Sequence, residues 1–480
     1  MFQFRGSVHW LLLILVIVLA GGCSKEDVQD PSFPKPADSL QAINRWILDS
    51  MYHYYYWNAD LKSVTSLEGK PEDFFHSLLY GQDKYSWITN HSDVSIPGSS
   101  QQSFGFEYAI VSDPTFSSSA MLGVILVAGK GSSAERAGLQ RGMYFDKVNG
   151  YAINAGSLGA ITDRLSGNET VELSMVEMTG SQQWVTAGKK SVPRAYFEDR
   201  PVYRSLVFEH NGIKAGYLFY NNFTEAFDND LLQAFRQFQE KGVTELIIDI
   251  RYNTGGSVST ATKFAALVAP VKANDVFGLY KGNANYANVT QSFEKSIAIS
   301  SSQAGRDFSS LVNNRLGIRR VFFLTSGYTI SAAEMLINNL RPYIDVIHIG
   351  QPTAGKDMAA TYIRDKRNPK KINWSMQPLV FKLFNAAGKG DYAQGLKPDI
   401  EADELSLQPL ADLGSKHDPL VAAANKIIFG TAEIDVTEMQ RSIRPGNESG
   451  TGMFKRAGKL MYNSLDERKR LAVPPVVTGF

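Results

Sequence analysis

The sequence predicts an α/β core, an inserted mainly-β unit and a helical segment ahead of both. Three observations lead there. Between residues 200 and 428, apolar strand-like runs alternate with helical patterns. Residues 100 to 190 change to short strands punctuated by turn signals. Residues 39 to 90 place apolar and aromatic side chains at helical spacing. A chain of 480 residues is also too long for one ordinary domain. Its 44% hydrophobic and 20% charged content is that of a globular protein. Lys+Arg numbers 49 against 48 for Asp+Glu, a balance without the basic excess that nucleic-acid binding requires.

The first residues read as a signal rather than as part of the fold. Arg5 supplies a positive start, Leu11 to Ala20 is an unbroken apolar run, and Ala20-Gly21-Gly22 precedes Cys23. The run is too short to span a bilayer and matches a secretory signal. Cys23 is the single cysteine, so no internal disulfide is possible. Its position resembles the lipobox of bacterial lipoproteins, which implies a signal over 1–22, a lipidated N-terminus at Cys23 and a membrane anchor. Residues 23–38, polar and proline-bearing, read as a tether. Ser24-Lys25-Glu26-Asp27 resembles the surface-export signal of Bacteroidetes lipoproteins. The expected location is the outer membrane, on its periplasmic side or at the cell surface.

Residues 39–95 form the helical unit. Ile43, Trp46, Ile47, Met51, Tyr54 and Tyr55 recur at helical spacing, and Asp73 to Tyr80 reads as a second helix. The stretch "YHYYYW" reads as a helix packing on the main body, with a ligand groove at Trp46 and Tyr54 as the competing reading. Residues 98–192 form the inserted unit. "MLGVILVAGKGSSAERAGLQRGMYFDKVNGYAI", residues 121 to 153, reads as strand, short helix, turn, strand, with Asn149-Gly150 as the turn. It resembles a PDZ domain of bacterial proteases at Gly123-Val124-Ile125, Ser133-Ala134, Ala137-Gly138, Gly142 and Val148-Asn149-Gly150, with Met143 replacing the usual Asp. Upstream, Phe104, Gly105 and Phe106 resemble the PDZ loop whose backbone N–H groups hold a peptide's C-terminal carboxylate; a plain β-turn is the alternative.

The core, residues 200–428, is read as strand Ala215 to Tyr220, helix Asp228 to Gly242, a buried strand in "ELIIDIRYNTGG", helix Thr260 to Val268, strand Arg320 to Leu324, helix Ser331 to Leu340 and strand Val346 to Ile349. The tail, 429–480, is polar and basic and reads as loosely ordered from 431 onward.

Three fragments of the core carry chemistry: Asp249 to Gly256, Ser331-Ala332-Ala333-Glu334, and Gly350 to Lys356. Ser331 stands where strand becomes helix. One serine at a helix start is ordinarily a cap. A serine nucleophile needs a base beside it. None of the seven histidines lies in a triad motif, and His348, mid-strand, reads as structural. Lys356 follows a glycine-rich turn, and burial would lower its pKa by roughly 3 units or more and leave a neutral amine. The Ala332 N–H at the helix start could donate to an oxyanion, and Gly255 and Gly256 let the backbone turn its N–H groups to a carbonyl. Such a donor is worth roughly 3–4 kcal/mol in a transition state.

Occurring together in this order, the fragments resemble the C-terminal processing, or tail-specific, serine peptidases related to the tricorn core. Asn-x-Gly-Gly ends a strand, the serine precedes Ala-x-Glu, and Gly-Lys follows with a spacing of 25 residues. The resemblance runs over roughly residues 40 to 425 and includes Pro398-Asp399. It implies a crotonase-like (ClpP/crotonase-type) protease core, Ser331 as nucleophile, Lys356 as general base, and Gly256 and Ala332 as oxyanion donors. The family's usual Gln four residues after the lysine is here Ala360, which puts the third member in doubt; Glu334 and Asp357 are candidates for support. Ile330 stands where a small residue is common. The implied activity is endoproteolysis of proteins or peptides bearing a free C-terminus. No metal or organic cofactor is implied, since no His/Cys/Asp cluster has ligand spacing. The second reading is a catalytically inactive surface lipoprotein that binds peptides or other ligands on the same fold.

Overall fold

The computed structural model describes residues 39–90, 102–113, 121–179, 183–300, 302–368, 370–406, 409–430, 435–441 and 460–466. The expected signal, Cys23 and the expected tether lie outside these residues. The core is a seven-stranded sheet ordered Ile400–Glu401, Asp345–Gly350, Arg320–Thr325, Glu245–Asp249, Ile213–Tyr220, Val202–His210 and Asp435–Arg441. The first five strands pair in parallel and the last two antiparallel.

Alternation along the central strands builds two apolar layers. Leu246, Ile248, Val321 and Phe323 face one side, packed with the helices Asp228–Lys241, Val258–Val268 and Ala332–Leu340. Ile247, Phe322 and Leu324 face the other, against the helix Pro419–Phe429 and the inserted unit. Strands buried on both faces read as continuous apolar runs, which is why "ELIID" and "RVFFLT" were legible.

Strand Leu379–Phe384 joins a second sheet with Met358–Ala360, Val276–Lys281 and Val289–Ser292. The N-terminal unit is less helical than its periodicity suggests. Helices Ser39–Tyr54 and Pro71–Leu78 are present, but Trp87–Asn90 is a strand paired with Trp374–Gln377 of the core. Of the aromatic stripe, Tyr55 packs inward, fully buried with its hydroxyl donating to Asp83 at 2.8 Å, while Tyr52 stays exposed.

The inserted unit is an antiparallel sheet in the order Phe106–Ser112, Met121–Ala128, Tyr144–Val148, Val171–Met178, Trp184–Val192, carrying the helices Ser133–Arg136 and Leu158–Ser166. Tyr108, Ile110, Phe145 and Ile161 form its own core. Ala109, Val111, Val124 and Leu126 turn to the cluster shared with the central sheet instead. Two stretches of the tail depart from the expected loose order. Asp435–Arg441 extends the central sheet beside Val202–His210, and Leu460–Asn463 pairs with Phe106–Ser112. Both strands lie at sheet edges, and the first is the polar stretch DVTEMQR.

A buried charge cluster ties the inserted unit to the core. Arg251 is fully buried and pairs with Asp249 at 2.7 Å and Asp418 at 2.8 Å. Arg141, from the inserted unit, meets Glu404 at 2.8 Å and the Tyr252 hydroxyl at 2.8 Å. Removing one partner from such a cluster strands the opposite charge without water. Arg251→Met is expected to lower the unfolding free energy by about 3–5 kcal/mol, measured by denaturant titration. A loss under about 1 kcal/mol, the worth of a surface pair, would contradict this account.

Candidate active site

Two turns meet at the C-terminal ends of the parallel strands. The strand Glu245–Asp249 runs into Arg251 to Gly256, and the strand Arg320–Thr325 into Ser326 to Ser331. Asn253 joins them. Its carbonyl accepts from Ile330 N at 3.0 Å, its side-chain oxygen from Gly255 N at 2.8 Å, and its side-chain nitrogen donates to Tyr220 O at 3.0 Å. Gly255 has φ +94°, and a Cβ there would stand 2.9 Å from the Ser331 Cβ and 3.1 Å from Ala332 N. The close approach of the two turns therefore requires glycine.

Ser331 precedes the helix Ala332–Leu340 with φ 64° and ψ −116°. A non-glycine residue held there is strained by roughly 1–3 kcal/mol. The strain is not spent on capping: the buried Ser331 Oγ has no hydrogen-bond partner among the described residues. Its backbone N–H instead donates to Glu334 Oε2 at 2.8 Å.

Glu334 organises the site. It is fully buried, and the same Oε2 accepts the N–H of Lys356 at 2.8 Å. Oε1 accepts from the Thr353 hydroxyl and from Gly355 N, each at 2.6 Å. Burial pushes the Glu334 carboxyl up from its ordinary range, and these four hydrogen bonds oppose the shift. Four accepted bonds use the acceptor capacity of an ionised carboxylate.

Lys356 is fully buried, with Nζ 5.0 Å from the centre of the Tyr85 ring. Burial pulls its pKa down to about 7, against the opposing pull of the Glu334 and Asp83 carboxylates. An amine in that range can both accept and return a proton near neutrality. Asp83 is itself held by Tyr55, by the N–H groups of Tyr85 and Ser86, and by the Ser86 hydroxyl. The N-terminal unit thus forms one wall of the site.

The structure separates the sequence candidates. Ser331, Ala332, Glu334, Lys356, Gly255 and Gly256 converge. The N–H groups of Ala332 and Gly256 carry no hydrogen bond among the described residues, and both can receive an oxyanion. The N–H of Gly255 cannot serve in that arrangement, because it donates to Asn253, and its expected donor role is corrected on that ground. Asp357 turns to Lys382, 3.4 Å away; burial raises its pKa and Lys382 opposes the rise. Ala360 lies in the strand Met358–Ala360, where it is buried and offers no polar group. His348 is structural as read: it is buried, bonded to Thr325 and the Lys397 carbonyl, with its pKa lowered to about 4 chiefly by burial.

Phe104, Gly105 and Phe106 lie in the inserted unit. Phe104 is buried with its carbonyl accepting from Ala134 N at 3.0 Å, and Gly105 N donates to the Ser103 hydroxyl at 3.1 Å. Sequence reasoning missed Asp83, Tyr85 and Thr353. Thr353 sits inside a fragment already singled out, but Asp83 and Tyr85 belong to no motif and reach the site only through folding.

The model for Peptidase family S41 matches residues 214–402, and that for the Peptidase S41 N-terminal domain matches residues 42–87. A Staphylococcus aureus protein assigned as a CtpA-like serine protease is 25% identical over 281 residues, which is 58% of this chain and 50% of that protein. A Staphylococcus epidermidis protein of the same assignment is 24% identical over 281 residues, again 58% of this chain and 50% of its own length. The chain therefore spans about half the length of the curated relatives it matches. The crystal structure of a Bacteroides fragilis protein assigned to the S41 proteases is similar with a TM-score of 0.66 and 29% identity, covering 83% of this chain and 99% of that one. Residues 42–87 and 214–402, which include the helical start and the strands leading to Ser331 and Lys356, thus match peptidase family S41.

Proposed function

We propose that the protein is a tail-specific serine endopeptidase working through a Ser331–Lys356 dyad on a crotonase-like core. The observation that carries this reading is the shared anchor. One buried carboxylate oxygen, Glu334 Oε2, holds the backbone N–H of both Ser331 and Lys356 at 2.8 Å. In the first step the Ser331 hydroxyl proton passes to neutral Lys356 Nζ as Oγ attacks the scissile carbonyl. The resulting oxyanion lies between the N–H groups of Gly256 and Ala332, aided by the positive end of the Ala332–Leu340 helix. Collapse breaks the C–N bond, and the Lys356 ammonium returns its proton to the leaving amine. Water then attacks the acyl-enzyme, with Lys356 accepting its proton and Ser331 Oγ regaining one.

The inserted unit acts in this reading as a PDZ domain that takes the free C-terminus of a protein substrate through the Phe104–Phe106 loop and the edge of the strand Phe106–Ser112. Lipidation at Cys23 anchors the enzyme to the outer membrane, on its periplasmic side or at the cell surface. Cleavage of unfolded peptides with free or amidated C-termini, by the mature chain and by Ser331→Ala, tests the whole reading. Cleavage is expected to vanish in the variant and to weaken on amidation. Equal cleavage by both chains would overturn the nucleophile, and no cleavage by either would favour the ligand-binding lipoprotein.

The base predicts a pH profile. Below about pH 7 Lys356 is protonated and cannot take the Ser331 proton; above it the amine is neutral. kcat/KM is therefore expected to rise tenfold per pH unit on the acid side and level off above a midpoint near 7. A profile without this acid limb would exclude Lys356 as the base. Glu334→Gln leaves one acceptor oxygen and adds an amide donor among four donors. Unsatisfied buried donors cost about 1–3 kcal/mol each, so a lower Tm and at least a hundredfold fall in kcat are expected. Wild-type turnover in that variant would refute the shared anchor.

A further inference from the structure

We infer that residues 460–466 are an internal occupant of the inserted unit's peptide-binding edge, and that a substrate tail must displace them to engage the enzyme. This rests on the PDZ reading proposed above. In that reading an incoming peptide adds as a strand antiparallel to Phe106–Ser112, on the side away from Met121–Ala128. That side is filled by the chain's own strand Leu460–Asn463, which runs antiparallel with Leu460 opposite Val111, Tyr462 opposite Ile110 and Asn463 opposite Ala109.

The contacts are those of a bound peptide. Ser464 N donates to Tyr108 O at 2.9 Å, and Tyr108 N donates to the Ser464 hydroxyl at 2.9 Å. That hydroxyl donates to Glu107 Oε2 at 2.6 Å. The Tyr462 ring stacks on Tyr108 with centroids 5.8 Å apart, and Leu465 is fully buried between the inserted unit and the core. Asp466 then reaches the hydroxyl of Tyr328, three residues before Ser331. A single short segment thus touches both the capture edge and the turn that presents the serine.

The segment is built to be exchanged. The strand Leu460–Asn463 is four residues long, breaks register between Leu460 and Tyr462, and leaves Leu460 42% and Met461 37% exposed. Its strand pairing and its aromatic contact with Tyr108 are of a kind that other extended peptides can supply. Being part of the same chain, it competes at a high effective concentration, on the order of millimolar. It therefore sets a threshold affinity for substrates, raising KM and leaving kcat unchanged.

The experiment uses the full mature chain carrying Ser331→Ala, so that binding is read without cleavage. Fluorescence anisotropy measures Kd for a labelled unfolded peptide with a free C-terminus and for its amidated form. Adding Tyr462→Ala and Ser464→Pro, which remove the ring contact and the Ser464 donor, is expected to tighten Kd about tenfold for the free-acid peptide. In the active chain the same pair is expected to lower KM and leave kcat unchanged. Unchanged or weaker binding of a peptide that still distinguishes acid from amide would overturn the internal occupant alone. Failure of both chains to distinguish acid from amide would overturn the PDZ reading and the occupant with it. Hydrogen exchange on the chain without those two substitutions needs no destabilising change. Saturating peptide is expected to raise exchange at the Ser464 amide and its neighbours, and unaltered protection there under saturation would equally overturn the proposal.

Discussion

The site depends on one buried carboxylate. Glu334 accepts the backbone of the residue that carries the hydroxyl, the backbone of the residue that carries the amine, and two groups of the glycine turn between strand and lysine. A carboxylate so enclosed is stable only while all four donors are in place. The converse also holds: the donors cannot drift without stranding it. Two segments from different strands are thereby fixed to each other through a single side chain. The unusual backbone of Ser331 is held by the same bond, since its N–H points to Glu334 and its hydroxyl stays uncommitted. Strain of this kind persists only where the surroundings over-determine it.

Most of the core could be read before folding, and the reasons are specific. "ELIIDIRYNTGG" and "RVFFLTSGYTISAAEM" are continuous apolar strands ending in small residues, which is how strands buried on two faces end at a functional turn. Ser331, Lys356 and the glycines were found as fragments in order. What each glycine does was not legible. Gly255 and Gly256 look alike in sequence, yet Asn253 takes the N–H of one and leaves the other. Asp83 and Tyr85 were invisible because their position depends on a strand, Trp87–Asn90, that completes a sheet nearly 290 residues away. The tail strands were missed for the opposite reason. An edge strand needs backbone donors more than apolar side chains, and composition does not report backbone donors.

The inserted unit is not an appendage on a loop. It shares an apolar layer with the central sheet, and Arg141 enters the buried cluster around Arg251, Asp249, Glu404 and Asp418. Tyr252 lies in that cluster, one residue before Asn253, which positions the glycine turn. A change in how the inserted unit seats therefore reaches Tyr252, three residues before Gly255. Packed interiors transmit such shifts because they repack between discrete arrangements instead of deforming smoothly.

The pairing of Leu460–Asn463 with Phe106–Ser112 also has a meaning for the order of synthesis. Ser464 reaches back to Tyr108 across 356 positions, so the first strand of the inserted sheet emerges long before its outer neighbour exists. Until residues 460–463 are synthesised that edge lacks this neighbour, with its N–H and C=O groups open to any extended chain. A nascent or truncated protein is thus the form most exposed to promiscuous strand addition, and arrival of Leu460–Asn463 covers that edge.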